Sequence, residues 1–541
     1  MLHLVLIIVL FAASALADLL IDIPDGTLLG SEIKTENYTY YAYRGIPFAL
    51  PPLDKLRFQA PVPNEPWNGI LNATALKSCC LQMESIGNPD RFSEDCLHIN
   101  VYTPARKITE KLPVMLWIYG GGFYFGCASD VIYDPFPLVN EDVIVVTFNY
   151  RLGVFGFLST EDNVILGNAG LKDQLLAMKW TQKNIEFFGG DPEKVTLFGE
   201  SAGGISVGAH IVNRKSAGLY RAAICQSGCS LVKLAQTSQT NPRQGAYDIA
   251  RSVNPLISEK NTTAEIRDLL QGISADTLVE AFQANSQTGP IVEIQDENAY
   301  VTDLSFGLLE SGDFNQVPCI IGTTSAEVLG LINSTPEMLL SAAEVYDSSS
   351  SIVIPSNLKL LPFADPDEVA SLIKRPYTGG LPFATNLTGF IEYSNDLTFG
   401  KASLKQAEIQ SSYSPVYFYQ FSYSGSMNQG QTIVEGAGNV GHGQELYYIF
   451  NTIGYSLTSN EDFLTRNRMT KLWTNFAKTL NPTPDSSDPL LNVTWPQISG
   501  TIIPYLDVDE ILEVKSGKKK TEMVMWNYVY YTYGEQPFDG F

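Results

Sequence analysis

The chain has 541 residues, 45% of them hydrophobic and 17% charged, which supplies a large core and excludes general disorder. Its 58 acidic against 35 basic residues leave a formal charge of -23, which repels nucleic acid and anionic lipid surfaces and excludes polyanionic partners. Against that background the short run Lys518, Lys519, Lys520 reads as a solvated turn.

The first residues, MLHLVLIIVLFAASALA, carry an apolar run from Leu4 to Phe11 and then small residues ending in Ala15, Leu16 and Ala17. This predicts a secretory signal over residues 1–17, with the mature chain starting at Asp18, although the n-region holds no Lys or Arg. No later stretch reads as a membrane span, so an extracellular protein is expected. On that route the sequons at Asn37, Asn72, Asn261, Asn333, Asn386 and Asn492 become candidate glycosylation sites. The seven cysteines then predict at least one disulfide and an odd thiol. Cys80 with Cys96 is the favoured pair, closing a loop worth about 3 kcal/mol in the chain-entropy model. Cys79 competes with its neighbour for that role, Cys225 and Cys319 sit in apolar runs and read as buried thiols, and Cys127 and Cys229 stay open.

In chain order, strand-length apolar runs occur at 114–119 (VMLWIY), 143–148 (VIVVTF), 194–198 (KVTLF), 222–225 (AAIC), 317–322 (VPCIIG) and 415–421 (PVYFYQF). They are continuous, not alternating, which is the pattern of strands covered on both faces. Between the second and third lies a helix over 171–188, with Leu171, Leu175, Met178 and Ile185 near one face and Gly189-Gly190 as its stop. Strand, helix, strand implies a right-handed crossover and an α/β sheet. The stretch from about 240 to 380 is more polar and predicts helical insertions and long loops. No repeat or linker divides the chain, so one domain over 18–541 is expected.

The run LFGESAGG (197–204) stands where a strand meets a helix. G-x-S-x-G at such a corner predicts a nucleophile elbow presenting Ser201 above the sheet. A serine hydroxyl needs a base, and beyond the signal only three histidines exist. His98 falls inside a strand, His210 on the helix after Ser201, and His442 in a glycine-flanked loop, NVGHGQEL, after the last run. His442 is therefore the candidate base. The orienting acid should follow a strand between 201 and 442, and Glu327, five residues after Gly322, has that position. WIYGGGF puts Gly120, Gly121 and Gly122 after a strand, where bare backbone N–H groups, joined by that of Ala202, can stabilise an oxyanion for roughly 2.7 to 4 kcal/mol per donor. No metal cluster or phosphate loop is legible, so no cofactor is expected.

Taken together, YRGIPFALPP (43–52), SEDCLHINVYTP (93–104), WIYGGGF, NYRLGVFGFLS (149–159), GNAGLKDQLLAMKW (167–180), GESAGG and HGQEL (442–446) resemble the type-B carboxylesterases, from about Tyr43 to about Trp526. The resemblance implies an α/β-hydrolase fold, a large mostly parallel sheet flanked by helices with helical and loop insertions. It matches Ser201, Glu327 and His442 to the triad and Gly121, Gly122 and Ala202 to the oxyanion donors. It also matches Cys80, followed by Gln82, to the partner of Cys96, and pairs Arg44 with Glu94 in a structural salt bridge. The chain departs from the pattern in three places: Val328 follows Glu327 where glycine is usual, the insertion near 250–275 lacks a second cysteine pair, and Tyr119 replaces the histidine of many esterases.

The implied activity is cleavage of carboxylic esters by a secreted serine hydrolase acting on small apolar esters. No Trp lies between Cys80 and Cys96, which argues against a cholinesterase, whose cation site is built on aromatic faces. Glu200 precedes the serine where juvenile-hormone esterases carry Gln, which favours a general esterase over that group; a juvenile-hormone-type, odorant- or pheromone-degrading esterase and a lipase are the alternatives. A non-catalytic adhesion protein on the same fold is disfavoured because all three triad positions are kept. Acyl and alcohol preference is not legible.

Overall fold

The six continuous apolar runs become six neighbouring strands of one sheet. A computed structural model describes residues 19–541 except 36–37, 84–89, 106–108, 130, 234–240, 284–288, 332–334, 429–431 and 501. The signal call at 1–17 and the sequons at Asn37 and Asn333 lie outside the described residues. The sheet has eleven strands: β1 (Ser31–Lys34), β2 (Thr39–Pro47), β3 (His98–Thr103), β4 (Leu112–Ile118), β5 (Ile144–Phe148), β6 (Gly190–Glu200), β7 (Ala222–Gln226), β8 (Cys319–Thr324), β9 (Val416–Phe421), β10 (Pro504–Val508) and β11 (Leu512–Ser516). Across the sheet they run β1-β2-β3-β5-β4-β6-β7-β8-β9-β10-β11. From β5 to β10 every pair is parallel, and both ends are closed by antiparallel strands.

Every residue of β5, β7 and β8 is buried, as strands sandwiched between helices must be. The helix predicted over 171–188 is an α-helix at Ala169–Asn184 that tightens into a 3-10 turn at Ile185–Phe188 and stops at Gly189, φ +83°. At the heart of the sheet Trp117 of β4, fully buried, packs on Phe198 of β6 at 4.8 Å and on Phe450 at 4.9 Å. The polar stretch from 240 onward folds into helices, among them Pro242–Val253, Thr263–Gly272 and Ala275–Gln283. These share a separate small core with Phe58, Val154 and Phe155.

One charge assignment needs correction. Glu94 is bound by Arg57, not Arg44: Arg57 Nε donates to Oε2 at 2.7 Å and Nη2 to Oε1 at 2.5 Å. Arg57 also donates to the carbonyls of Leu270, Gln271 and Ile273, so this buried guanidinium ties the insertion helices to the main body. Arg44 Nη2 instead donates to the carbonyl of Thr74 at 2.7 Å, because its strand carries it towards that loop.

Candidate active site

The parallel strands β4, β6, β8 and β9 end at one edge of the sheet, and each delivers one part of the candidate site there. β6 ends at Glu200 and the helix Ala202–Val212 starts two residues later, leaving Ser201 alone to make the corner. Its backbone sits at φ +56°, ψ -124°, a conformation L-residues avoid and retain only when their surroundings enforce it. The enforcement is visible: Ser201 N–H donates to Gln226 O on β7, and its carbonyl accepts from Ile205 N, both at 2.8 Å. Gly203 permits the bend, since a Cβ there would stand 2.0 Å from Ile118 O on β4.

Glu327 follows β8 and opens the short helix Glu327–Leu331, and His442 lies in the loop beyond β9. The structure brings them together: Glu327 Oε2 is 2.7 Å from His442 Nδ1, and His442 N–H donates to the Glu327 carbonyl at 3.2 Å. The second carboxylate oxygen accepts from Ser227 Oγ at 2.7 Å and from Thr324 N–H at 2.8 Å. Burial opposes charge on Glu327, but the imidazole, Ser227 and Thr324 together hold its carboxyl below the usual carboxylate range. With Nδ1–H directed at Glu327, the other ring nitrogen is buried and has no hydrogen-bond partner, on a residue that lines the cavity.

Two further carboxylates sit close by. Glu200 Oε1 is 3.1 Å from His442 Nε2, within ion-pair range but off the direction of a hydrogen bond, and both atoms are buried without hydrogen-bond partners. Burial raises Glu200 to about 7, against the pull of His442 and with a push from Glu327. Burial likewise raises Glu445 to about 8, with Glu200 and Glu327 adding to it. For His442 burial works against the charged form, yet Glu200, Glu327 and Glu445 outweigh it and lift the imidazole to about 9. Glu200, Glu445 and His442 therefore exchange protons around neutral pH while Glu327 stays ionised.

Beyond β4, Gly121 and Gly122 adopt φ +104° and +60°. Among the described residues their N–H groups and that of Ala202, at the start of its helix, donate to no backbone carbonyl. Tyr119 braces this turn: its hydroxyl donates to Tyr150 O at 3.1 Å, Tyr150 Oη returns a bond to Tyr119 O at 2.9 Å, and the rings stack at 4.5 Å. Gly121, Gly122, Glu200, Ser201 and His442 all line one cavity of about 990 Å³. Its further walls are largely apolar, with Phe125, Ile132, Leu331, Ile354, Leu397 and Phe399 among them.

The sequence model of the Carboxylesterase family matches residues 17–526. The chain is 33% identical over 504 residues to juvenile hormone esterase of Tribolium castaneum, spanning 87% of this chain and 84% of that one. It is 34% identical over 470 residues to a carboxylic ester hydrolase of Bombus ignitus, spanning 82% of each. The chain belongs to the carboxylesterase family. The crystal structure of juvenile hormone esterase from Manduca sexta, with OTFP covalently attached, superposes with a TM-score of 0.82 at 28% identity, covering 95% of this chain and 99% of that one. The fold is that of the α/β-hydrolases, and the protein is a carboxylic ester hydrolase.

In this carboxylesterase the structure forms two disulfides, Cys80–Cys96 and Cys79–Cys127, while Cys225, Cys229 and Cys319 are buried free thiols. The second bond settles Cys127, which sequence reasoning had left open, and it makes Cys79 a neighbour of the first bond, not a competitor for it. Adjacent Cys79 and Cys80 tether two different parts of the chain: the loop ending at Cys96 and the segment after the glycine turn. His210 is taken up by packing, with Nδ1 2.5 Å from Tyr300 Oη and Nε2 2.8 Å from Gln174 Oε1; burial depresses it to about 3. His98 begins β3 and lies away from the cavity lining. Sequons Asn72 and Asn492 are exposed, while Asn261 and Asn386 are half-buried. Each half-buried one uses its side-chain oxygen as a turn or cap acceptor, from Ser258 N and Gly389 N. Ser227 is the site residue that sequence reasoning missed; its only signal is its place directly after β7, in the edge where the other parts gather.

Proposed function

We propose that this carboxylesterase works through an acyl-enzyme on Ser201, with His442 as base, Glu327 as its orienting acid, and Gly121, Gly122 and Ala202 as oxyanion donors. The observation that carries the reading is the Glu327–His442 pair at 2.7 Å, with His442 lining the same cavity as a serine held at φ +56°. Ser201 Oγ attacks the ester carbonyl as its proton passes to His442 Nε2, and the carbonyl π-electrons move onto oxygen, where the three N–H groups receive them. The tetrahedral intermediate collapses, the alkoxide leaves with the proton from His442, and water then repeats the sequence to release the acid. Glu327 stays ionised throughout and stabilises the imidazolium each time it forms.

The apolar lining and the volume of about 990 Å³ fit a small to medium apolar ester. The protein acts outside the cell in this reading, supported by the apolar N-terminal run, the two disulfides and the exposed sequons. No described helix is long and apolar enough to cross a membrane. The unit over 18–541 functions as one domain, its insertion helices held to the main body by Arg57.

Ser201→Ala tests the assignment. The variant folds with an unchanged melting curve and loses turnover of aryl acetates, and mass spectrometry finds an acyl or organophosphoryl adduct on Ser201 of the parent enzyme alone. Retained turnover, or an adduct on another residue, overturns the reading. Because two of the similar proteins are juvenile hormone esterases, juvenile hormone belongs beside acetate, butyrate and longer esters in the first substrate panel.

A further inference from the structure

The wall of the cavity opposite the strand ends is made by an irregular piece of helix. Between the α-helices Leu387–Asn395 and Lys401–Gln410 the chain forms a π-turn, Asp396–Gly400, in which Lys401 N–H bonds back to Asp396 O. Such single-turn insertions advance the helix by an extra residue and re-aim the side chains after them. Here the re-aimed side chain is Phe399, whose ring lies face to face with the His442 imidazole, 4.6 Å between centroids and 4° between planes.

The same segment reaches the acid from its other end. Asn395, buried, donates from Nδ2 to Ser325 O at 3.2 Å and accepts from Val328 N–H at Oδ1, 3.1 Å. Those two backbone groups flank Glu327. The turn is anchored in turn by Asp396, which accepts from Tyr377 Oη at 2.7 Å and has Lys519 Nζ at 3.6 Å. Gly400 makes room for it, since a Cβ there would stand 2.6 Å from Asp396 Oδ1. None of this is needed to hold a helix together; a regular α-helix would lack the extra residue at no cost in hydrogen bonds.

We infer that the π-turn is a bracket that fixes the acid and the base relative to each other, Asn395 holding the turn that carries Glu327 and Phe399 acting as the positioning residue for the His442 ring. The inference rests on His442 being the base. A flat ring against one face of the imidazole blocks rotation about its side-chain bonds while leaving both nitrogens in the ring plane free for Glu327 and for the serine hydroxyl. Rotation of the imidazole out of that plane would break the proton path, and misplacement on the ångström scale lowers rates by about 100-fold.

The test compares Phe399→Leu, Phe399→Tyr and Asn395→Ala with the parent enzyme on an aryl acetate, whose acyl group is too short to depend on the cavity wall. Rates are normalised to active sites titrated with an organophosphate, and melting curves confirm folding. Phe399→Leu is expected to lower kcat about 10- to 100-fold with KM changed less than about 3-fold, and to slow organophosphate attack on Ser201 by a similar factor. Phe399→Tyr, which keeps the stacked face, restores kcat to within about 3-fold of the parent. Asn395→Ala lowers kcat in the same way, and the double variant loses less than the product of the two single losses, as coupled positions do. A loss confined to KM, an equal loss in Phe399→Tyr, or kcat retained in Phe399→Leu overturns the inference. Ser201→Ala and His442→Gln run alongside: if they abolish turnover while the Phe399 variants keep it, only the bracket fails, and if they keep turnover the underlying assignment fails.

Discussion

Ser227 Oγ donates to Glu327 Oε1 at 2.7 Å while His442 occupies the other carboxylate oxygen at 2.7 Å. The acid is thus held from two sides by side chains that follow different strands. Ser227→Ala leaves a buried carboxylate oxygen with Thr324 N–H as its one remaining donor among the described residues, a loss worth about 1–3 kcal/mol. Calorimetric stability should fall by that amount and kcat by about 5- to 50-fold, since a less firmly held carboxylate orients the imidazole less well. Unchanged kcat in Ser227→Ala would show that the Thr324 amide suffices.

Under the proposed mechanism, Glu200 sets where on the pH scale His442 becomes available as the base. The imidazole must be neutral to accept the serine proton, and the surrounding carboxylates hold it up at about 9. Glu200→Gln removes the charge nearest to Nε2, so the imidazolium is less favoured and His442 gives up its proton at lower pH. The acid limb of the kcat/KM profile should move down by about one pH unit or more. A limb that stays put or moves up would count against Glu200 as the controlling charge.

Gly330 lies against the backbone of the base, and a Cβ added there would stand 2.3 Å from His442 N. Because the clash is with backbone, it is relieved only by shifting one of the two loops. Gly330→Ala should therefore fold but lose kcat by at least about 10-fold. Stopped-flow measurement of acyl-enzyme formation is the readout, and a rate equal to the parent would mean the loop yields without moving the ring.

Asp462 offers a pH signature remote from the chemistry. It is fully buried, and although burial disfavours its charge, hydrogen bonds from Ser426, Ser459 and Thr458 outweigh that and hold its carboxyl well below the ordinary value. A depressed folded-state value means stability that is complete above the unfolded value of about 3.9 and is lost as pH falls through the folded one. Asp462→Asn also weakens the capping box with Ser459, costing about 1–2 kcal/mol at pH 7. The difference between parent and variant in urea titrations should shrink below about pH 4, and a constant gap would contradict the linkage.

Cys79→Ala with Cys127→Ala removes a cross-link spanning 48 residues, worth about 4 kcal/mol in the chain-entropy model. The melting temperature should fall, with more lost than on opening the 16-residue Cys80–Cys96 loop. The reverse order would show that loop length does not set the contribution of the two bonds.

The sequence disclosed what depends on local pattern. Six buried strands were legible because burial on both faces leaves unbroken apolar runs, and the corner at Ser201 because only small residues tolerate it. The edge strands were quieter: β11, LEVKS, is mostly exposed and carries no such run. What stayed hidden was the choice of partner at long range. Nothing near Arg44 or Arg57 says which guanidinium will meet Glu94, since that is decided by where a 3-10 turn at Asp54–Leu56 sets the chain down. Ser227, Asn395 and Phe399 were silent for the same reason: each touches a residue 43 or more positions away. The π-turn has no composition of its own, because its stability comes from Tyr377 and Lys519 pulling on Asp396.

The trio of carboxylates around the imidazole has a bearing on the end of the reaction as well as its start. A neutral ester enters the well freely, but the acid it becomes is an anion as soon as it loses its proton, in a largely apolar recess lined by Glu200, with Glu327 against the imidazole. The leaving carboxylate is ejected by the field that prepared the base, so the cycle is driven forward and free acids make poor inhibitors of it.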